Sequence, residues 1–306
     1  MDIILENFDS YVKLPNRYGG SELKISARGP DGIWMIKMPD PARSKTLNMC
    51  YINNHFSEFI GSTIFSMCGI PTQEVKLGTI TQNGKVKTAV ACKDFTNSNE
   101  TLIEFKKLCL GVLEHRPETS IECVMETIDL SFDDDTAKEI KSCFWDMFVI
   151  DALIGNYDRH LENWGVISFS GHIVFSSVYD CGSSLHSMLS EEDCIQLLSN
   201  DGLFRNEVHN IASCYKLDGN RIQYGTIFNK NLPELNDALL RVFPKINIED
   251  IINMIQGVPE LSSVNKEFIS KSICYRYNKF LKPQYEKLLK QLKSGPDSFG
   301  STDTSR

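Results

Sequence analysis

Apolar and polar positions alternate early in this chain and later recur every three or four residues. Within residues 22–39, "ELKISAR", "GPDG" and "IWMIKMP" read as strand, turn and strand. Side chains on a strand alternate between faces, so Lys37 shares a face with Ile33 and Met35, while Trp34 and Ile36 point the other way. Residues 53–68, "NNHFSEFIGSTIFSMC", carry Phe56, Phe59, Ile60, Ile64 and Met67 at helical spacing, and "GIP" ends the run. Residues 74–95 hold two β-prone runs around the turn "QNGK". Further on the period is helical over 100–115, 136–154, 190–199, 233–243, 248–256 and 266–291, with a strand over 172–180 leading into a loop. "DDDTAKEI" places acidic residues at a helix N-terminus, where the helix dipole favours them. The pattern predicts an α+β fold of two lobes. A small β-rich N-lobe covers 1–93 and a larger, mainly helical C-lobe covers 94–293, with the joint near residues 92–97. Residues 294–306, "SGPDSFGSTDTSR", read as a disordered tail.

Composition narrows the classes. With 306 residues, 42% of them hydrophobic, the chain can bury a substantial core. A formal net charge of −8 makes it a poor general binder of nucleic acid or of an anionic membrane, so no nucleic-acid partner is expected. No window approaches 18 uninterrupted apolar residues, so no membrane span is expected. "MDIILENFDSYVKL" has neither a basic n-region nor a long apolar h-region, which points to a cytoplasmic location. The ten cysteines show no C-x-x-C pair and no zinc spacing, and several sit inside apolar runs; reduced, buried thiols are the expectation.

Candidate chemistry appears in four places in chain order: Lys37 on a strand, Glu58 on the next helix, "DRHLEN" after a long helix, and "YDCG" (residues 179–182) after a later strand. Each has a bland reading: a solvated strand lysine, a helix-surface charge, a helix end, a turn. Four residue types at the D-R-H-x-x-N spacing arise by chance in roughly one chain of this length in a thousand, so the ordered set outweighs its parts. The acidic runs "IDLSFDDD" and "LSEEDC" read as helix starts and solvated faces rather than metal sites. Phosphoryl transfer from a nucleotide needs such parts: a cation for the phosphates (Lys37), an acid to hold that cation (Glu58), hard oxygens for magnesium (Asn163, Asp180) and a carboxylate beside the acceptor hydroxyl (Asp158).

"WMIKMP", "FSEFIGSTI", "VACKDFT", "CFWDMFVIDALIGNYDRHLENWG", "YDCGSSL" and "DALLRVFPKI" together resemble the HipA-like serine/threonine kinases, closest to their short, single-chain, cell-translocating bacterial members, over roughly residues 10–275. The D-R-H-x-x-N … D-x-G order is also shared with phosphoinositide kinases. The resemblance implies a bilobal protein-kinase-like fold that uses ATP and Mg2+. It implies Asp158 as catalytic base, Asn163 and Asp180 as magnesium ligands, and Lys37 on the nucleotide phosphates. His160 would lie beside the phosphates or the catalytic loop, and the backbone around Ala91, Cys92 and Asp94 would read adenine. The phosphate loop corresponds to "NRYGGSELK", with only Gly19 and Gly20, and Ser21 in it is the expected self-phosphorylation site. "DRH" replaces "HRD" and no A-P-E follows Asp180, so an ordinary eukaryotic-type kinase is not expected. The extra N-terminal domain of longer members is not expected either, which argues against a DNA-bound antitoxin partner. The resemblance alone suggests secretion as an effector. The reading is thus a protein serine/threonine kinase, autophosphorylating. The alternatives are a kinase for a phosphoinositide or other small alcohol and a non-catalytic nucleotide-binding interaction protein.

Overall fold

A computed structural model describes residues 3–15, 24–39 and 52–293. The phosphate-loop residues Gly19, Gly20 and Ser21, and the tail over 294–306, lie outside the described residues.

The first strands are β1 (Glu6–Asn7), β2 (Val12–Leu14), β3 (Lys24–Gly29), β4 (Gly32–Lys37), β5 (Val75–Gln82) and β6 (Lys85–Lys93). They form one sheet in the order β1-β5-β6-β4-β3-β2, antiparallel apart from the β1–β5 edge. Helix α1 (Asn54–Met67) covers one face. Alternation along the strands divides the side chains cleanly. Leu77, Val90 and Cys92 join Phe56, Phe59, Ile60 and Ile64 of α1 in the main core, with Met35 packed against it. Trp34, Ile36, Ala89 and Ala91 join Phe8 and Tyr11 in a smaller core on the opposite face. Lys37 falls in step with Met35 and therefore lies on the α1 side.

After β6 come β7 (Glu100–Glu104), α2 (Phe105–Val112), α3 (Ile121–Ser131) and α4 (Asp134–Ile154). Helix α4 is the axis of the main core. The Asp133 side chain caps its first turn by accepting from Thr136 N–H, and Gly155 ends it in the left-handed region, at φ 65°. Then β8 (Gly165–Phe169) and β9 (His172–Phe175) pair with β7 in the order β7-β8-β9. Gly165 is required there, because a Cβ would run into the Ile103 carbonyl of β7. The chain continues through α5 (Glu191–Ser199), α6 (Asp201–His209), the hairpin β10 (Ala212–Leu217) and β11 (Asn220–Gln223), α7 (Pro233–Val242), α8 (Ile248–Gln256), α9 (Ser263–Arg276) and α10 (Lys282–Lys293).

Several boundaries differ from the sequence expectation. Residues 100–104 are a strand, not the start of a helix, because they have β8 to pair with. The strand expected over 172–180 stops at Phe175. Helices α3 and α6 and the β10–β11 hairpin were not anticipated. The helix expected over 266–291 is interrupted by a π turn at Tyr277–Leu281, just ahead of Pro283, which has no N–H to offer the preceding turn. Nine cysteines among the described residues are free thiols, and six of them are buried. No helix is long and apolar enough to cross a membrane among the described residues.

Candidate active site

Four stretches meet below the sheet: the end of β4, the middle of α1, the loop 156–164 after α4, and the segment 179–189 after β9. At their junction the Lys37 ammonium donates to Glu58 Oε2 and to Asp180 Oδ1, each at 2.9 Å. Glu58 is fully buried, and its other oxygen accepts the Cys181 backbone N–H at 3.1 Å. One glutamate thus fixes the lysine and pins the segment that carries Asp180. The Asp180 side chain is 37% exposed. Burial pushes its carboxyl up, but the charge and hydrogen bond of Lys37 outweigh that and hold it below the usual carboxylate range. Asp180 also has φ 60°, in the left-handed region of the backbone.

The loop after α4 is short and held from within. Asp158 N–H donates to Asn156 Oδ1 at 3.1 Å, and the Asp158 carbonyl accepts Asn163 Nδ2 at 2.7 Å. That bond turns the Asn163 amide so that Oδ1 is not the atom it uses. His160 Nε2 stands 4.0 Å from Asp158 Oδ1. Burial raises the Asp158 carboxyl, His160 opposes this, and the nearby Asp180 charge raises it further; the net direction is upward. Asp158 and Asp180 therefore sense one another across the site, one displaced up and the other down.

Arg159, the middle residue of "DRH", faces inward. Its Nε and Nη2 grip Asp151 of α4 at 2.9 and 3.1 Å, and Nη1 donates to the Asn163 carbonyl at 2.9 Å and to the Tyr179 carbonyl. Nη2 also reaches Cys181 Sγ at 3.5 Å. Arg159 and Asp151 are both 1% exposed. Burial works against the guanidinium, yet Asp151 and Cys181 hold it well above its usual range. Burial lifts the Asp151 carboxyl against the pull of Arg159. Sequence reasoning missed this clasp. Its signal was an aspartate in "MFVIDALI", where every neighbour is apolar. Asn156 Nδ2 completes the cluster on Asp151 at 2.9 Å, and Tyr224 donates to the Asn156 carbonyl at 2.6 Å. The far end of the loop is braced by Trp164, stacked on Phe105 at 4.0 Å and donating to Tyr215 at 2.7 Å.

Of the expected site residues, Lys37, Glu58 and Asp180 are in direct contact, and Asp158, His160 and Asn163 share one loop beside them. Ala91 and Cys92 lie inside β6, paired to both β4 and β5. The N–H groups of Lys93 and Asp94 are spent on the Glu74 and Ile33 carbonyls at 2.9 and 2.8 Å.

The protein-family model described as the HipA-like C-terminal domain matches residues 17–221. The chain belongs to that family. Serine/threonine-protein kinase CtkA of Helicobacter pylori strain J99 is 33% identical over 271 residues, covering 86% of this chain and 82% of that protein. The crystal structure of the H. pylori proinflammatory kinase CtkA superposes with a TM-score of 0.85 at 31% identity, over 94% of this chain and 99% of that one. A chain of the Shewanella oneidensis MR-1 toxin–antitoxin complex of HipA, HipB and operator DNA has a TM-score of 0.50 at 14% identity, over 83% of this chain and 60% of that one, and shares the fold alone. At the level of the family this HipA-like chain is an enzyme, a serine/threonine protein kinase.

Proposed function

We propose that the chain transfers the γ-phosphoryl group of ATP, in the presence of magnesium, to a serine or threonine hydroxyl of a protein, its own chain included. The observation that carries this reading is the Lys37 ammonium shared at 2.9 Å between buried Glu58 and half-exposed Asp180. Glu58 anchors the lysine, and Asp180 occupies its open side, where a phosphate oxygen would bind. Phosphoryl transfer asks for placement and charge stabilisation more than for covalent chemistry, and the site supplies both.

Magnesium suits the donors present. It takes hard oxygens, one or two of them from protein, and keeps water and phosphate oxygens for the rest. Among the described residues no three His, Cys, Asp or Glu side chains form a metal cage. Asn163 Oδ1 and an Asp180 carboxylate oxygen would hold the ion, which would neutralise charge on the phosphates when bound. Asp158 orients the acceptor hydroxyl and takes its proton. His160 and Asp180 bias the Asp158 charge from either side. Arg159 holds the loop and the Asp180 segment in one frame without touching substrate. Adenine is read by the backbone around Ala91, Cys92 and Asp94, at the end of β6. Ser21 is the acceptor for self-phosphorylation, where added negative charge beside the bound triphosphate would repel it.

The test follows label from γ-labelled ATP, with and without magnesium, onto the chain itself, onto a generic protein acceptor and onto phosphoinositide vesicles. Label on protein that requires magnesium supports the reading, and phosphosite mapping then asks for Ser21. Label on lipid alone refutes the protein-acceptor assignment, and no transfer refutes the activity.

A further inference from the structure

An open cleft of about 250 Å³ lies on the flank of the catalytic loop, and none of Lys37, Glu58 and Asp180 is in its wall. Its walls include Lys106 and Leu110 of α2, Arg116 and Thr119 of the α2–α3 connection, and His160 and Glu162 of the loop itself. Lys106 is satisfied within the wall, donating to Glu162 at 2.6 Å, and this bond holds the Glu162 carboxyl below its usual range. Glu114 and Glu118, the acids nearest Arg116 in sequence, form no ion pair with it among the described residues and are not part of the wall, and the acids further along are engaged elsewhere. Glu104 pairs with Lys107 at 3.3 Å, Glu126 with His115 at 3.3 Å, and Glu122 accepts the Asp218 N–H at 2.6 Å. Arg116 has no ion-pair partner among the described residues, so the side chains that line the cleft carry one cation in excess. Its fork of donors fits a carboxylate or phosphate better than a point charge would.

The cleft is also close to the proposed chemistry. His160 belongs to its wall, and the same imidazole lies 4.0 Å from the Asp158 carboxylate. An extended peptide advances roughly 3.3–3.6 Å per residue, so a side chain two or three positions from an acceptor hydroxyl at Asp158 reaches past one imidazole into the cleft.

We infer that this cleft is a substrate subsite that selects a protein acceptor bearing an acidic side chain, glutamate, aspartate or a phosphorylated residue, near the phosphorylated serine or threonine, with Arg116 as the selecting residue. The inference rests on the proposed kinase reading and adds the substrate class to it. Thr119 supplies a second donor at the wall, Leu110 lies under the aliphatic part of the entering side chain, and the Lys106–Glu162 pair keeps Lys106 partly neutralised.

The test uses the full chain and synthetic peptides with one serine in a neutral background. Each peptide carries a single glutamate, phosphoserine or alanine at one of the three positions on either side. The expected result is one position at which an acid raises kcat/KM about tenfold, the scale of one charge-assisted hydrogen bond. Arg116→Gln should bring that ratio close to one and leave kcat/KM for the neutral peptide unchanged. Glu162→Gln releases Lys106 and should widen the ratio. A larger gain from phosphoserine than from glutamate supports the subsite and assigns it to already phosphorylated acceptors. Transfer to the neutral peptide with no acid preference at any position overturns the inference while leaving the kinase reading intact, as does a preference that survives Arg116→Gln. Transfer to phosphoinositide vesicles and to no peptide overturns both, and the neutral-peptide arm separates that outcome from the others.

Discussion

Two clusters of charge lie on either side of the Tyr179–Cys181 segment, and they are built to opposite ends. In one, Arg159 and Asp151 are sealed from solvent, balanced one to one, and joined by two parallel hydrogen bonds, with the spare donors on backbone carbonyls. In the other, one ammonium faces two carboxylates, one of them more than a third exposed, and a third carboxylate, Asp158, is near enough to feel it. The first cluster is complete within the protein. The second has negative charge to spare and an open side, and on the proposed reading it is completed by the ligands that arrive. Ion pairs close in sequence and space can therefore have different purposes, and the signs of a site are leftover charge and solvent access rather than the number of salt bridges.

The sharpest way to break this contrast is at Asp158. Asp158→Asn should lower the rate of phosphoryl transfer about 10²–10⁴-fold, the usual worth of a positioned general base, without weakening nucleotide binding or lowering the denaturation midpoint. Turnover at the parent rate would remove the assigned role. The closed cluster should respond the other way. Asp151→Ala leaves a buried guanidinium without its counter-ion and should cost about 3–5 kcal/mol of folding stability in urea titration. A loss of activity at parental stability would mean that the clasp belongs to the open site after all.

Smaller effects separate the carboxylates by pH. Because burial and Asp180 raise the Asp158 carboxyl in the free protein, the acid limb of kcat/KM should lie above the ordinary aspartate value of about 3.9. His160 opposes that rise, so His160→Gln should move the limb further up. For Asp180 the sign is reversed. Its folded pKa is below its unfolded one, so its ionisation adds stability above the unfolded value, and that stability is lost as pH falls through the lowered folded value. The stability gap between the parent and Asp180→Asn should thus be constant from pH 8 to about pH 5 and close below about pH 4. Asparagine tolerates the left-handed backbone at this position, so strain does not cloud the comparison.

Legibility in the sequence followed how local the cause was. The β3–β4 hairpin, helix α1 and helix α4 were readable because period, turn and cap all lie within a few residues. So was the side taken by Lys37, since strand alternation alone puts it with Met35. The strand at 100–104 was hidden because its apolar residues continue into α2 without a break, and only β8, more than sixty residues on, makes it a strand. The β10–β11 hairpin is short and is anchored from outside, with Lys216 N–H on the Thr119 carbonyl. In the site, residue types pointed to Lys37, Glu58, Asp158, Asn163 and Asp180. Arg159 read as one more polar loop residue, because its partners, eight residues upstream and twenty downstream, are joined only by the fold.

Lys37 cannot answer two demands at once. A phosphate that draws the ammonium toward itself strips Asp180 of its counter-charge and makes that carboxylate a better harbour for a cation. A cation that settles on Asp180 in turn frees the ammonium for the phosphate. Each arrival then tightens the grip on the other by the same factor, so the pair should load cooperatively, and titrating either one at fixed concentrations of the other would read the linkage directly.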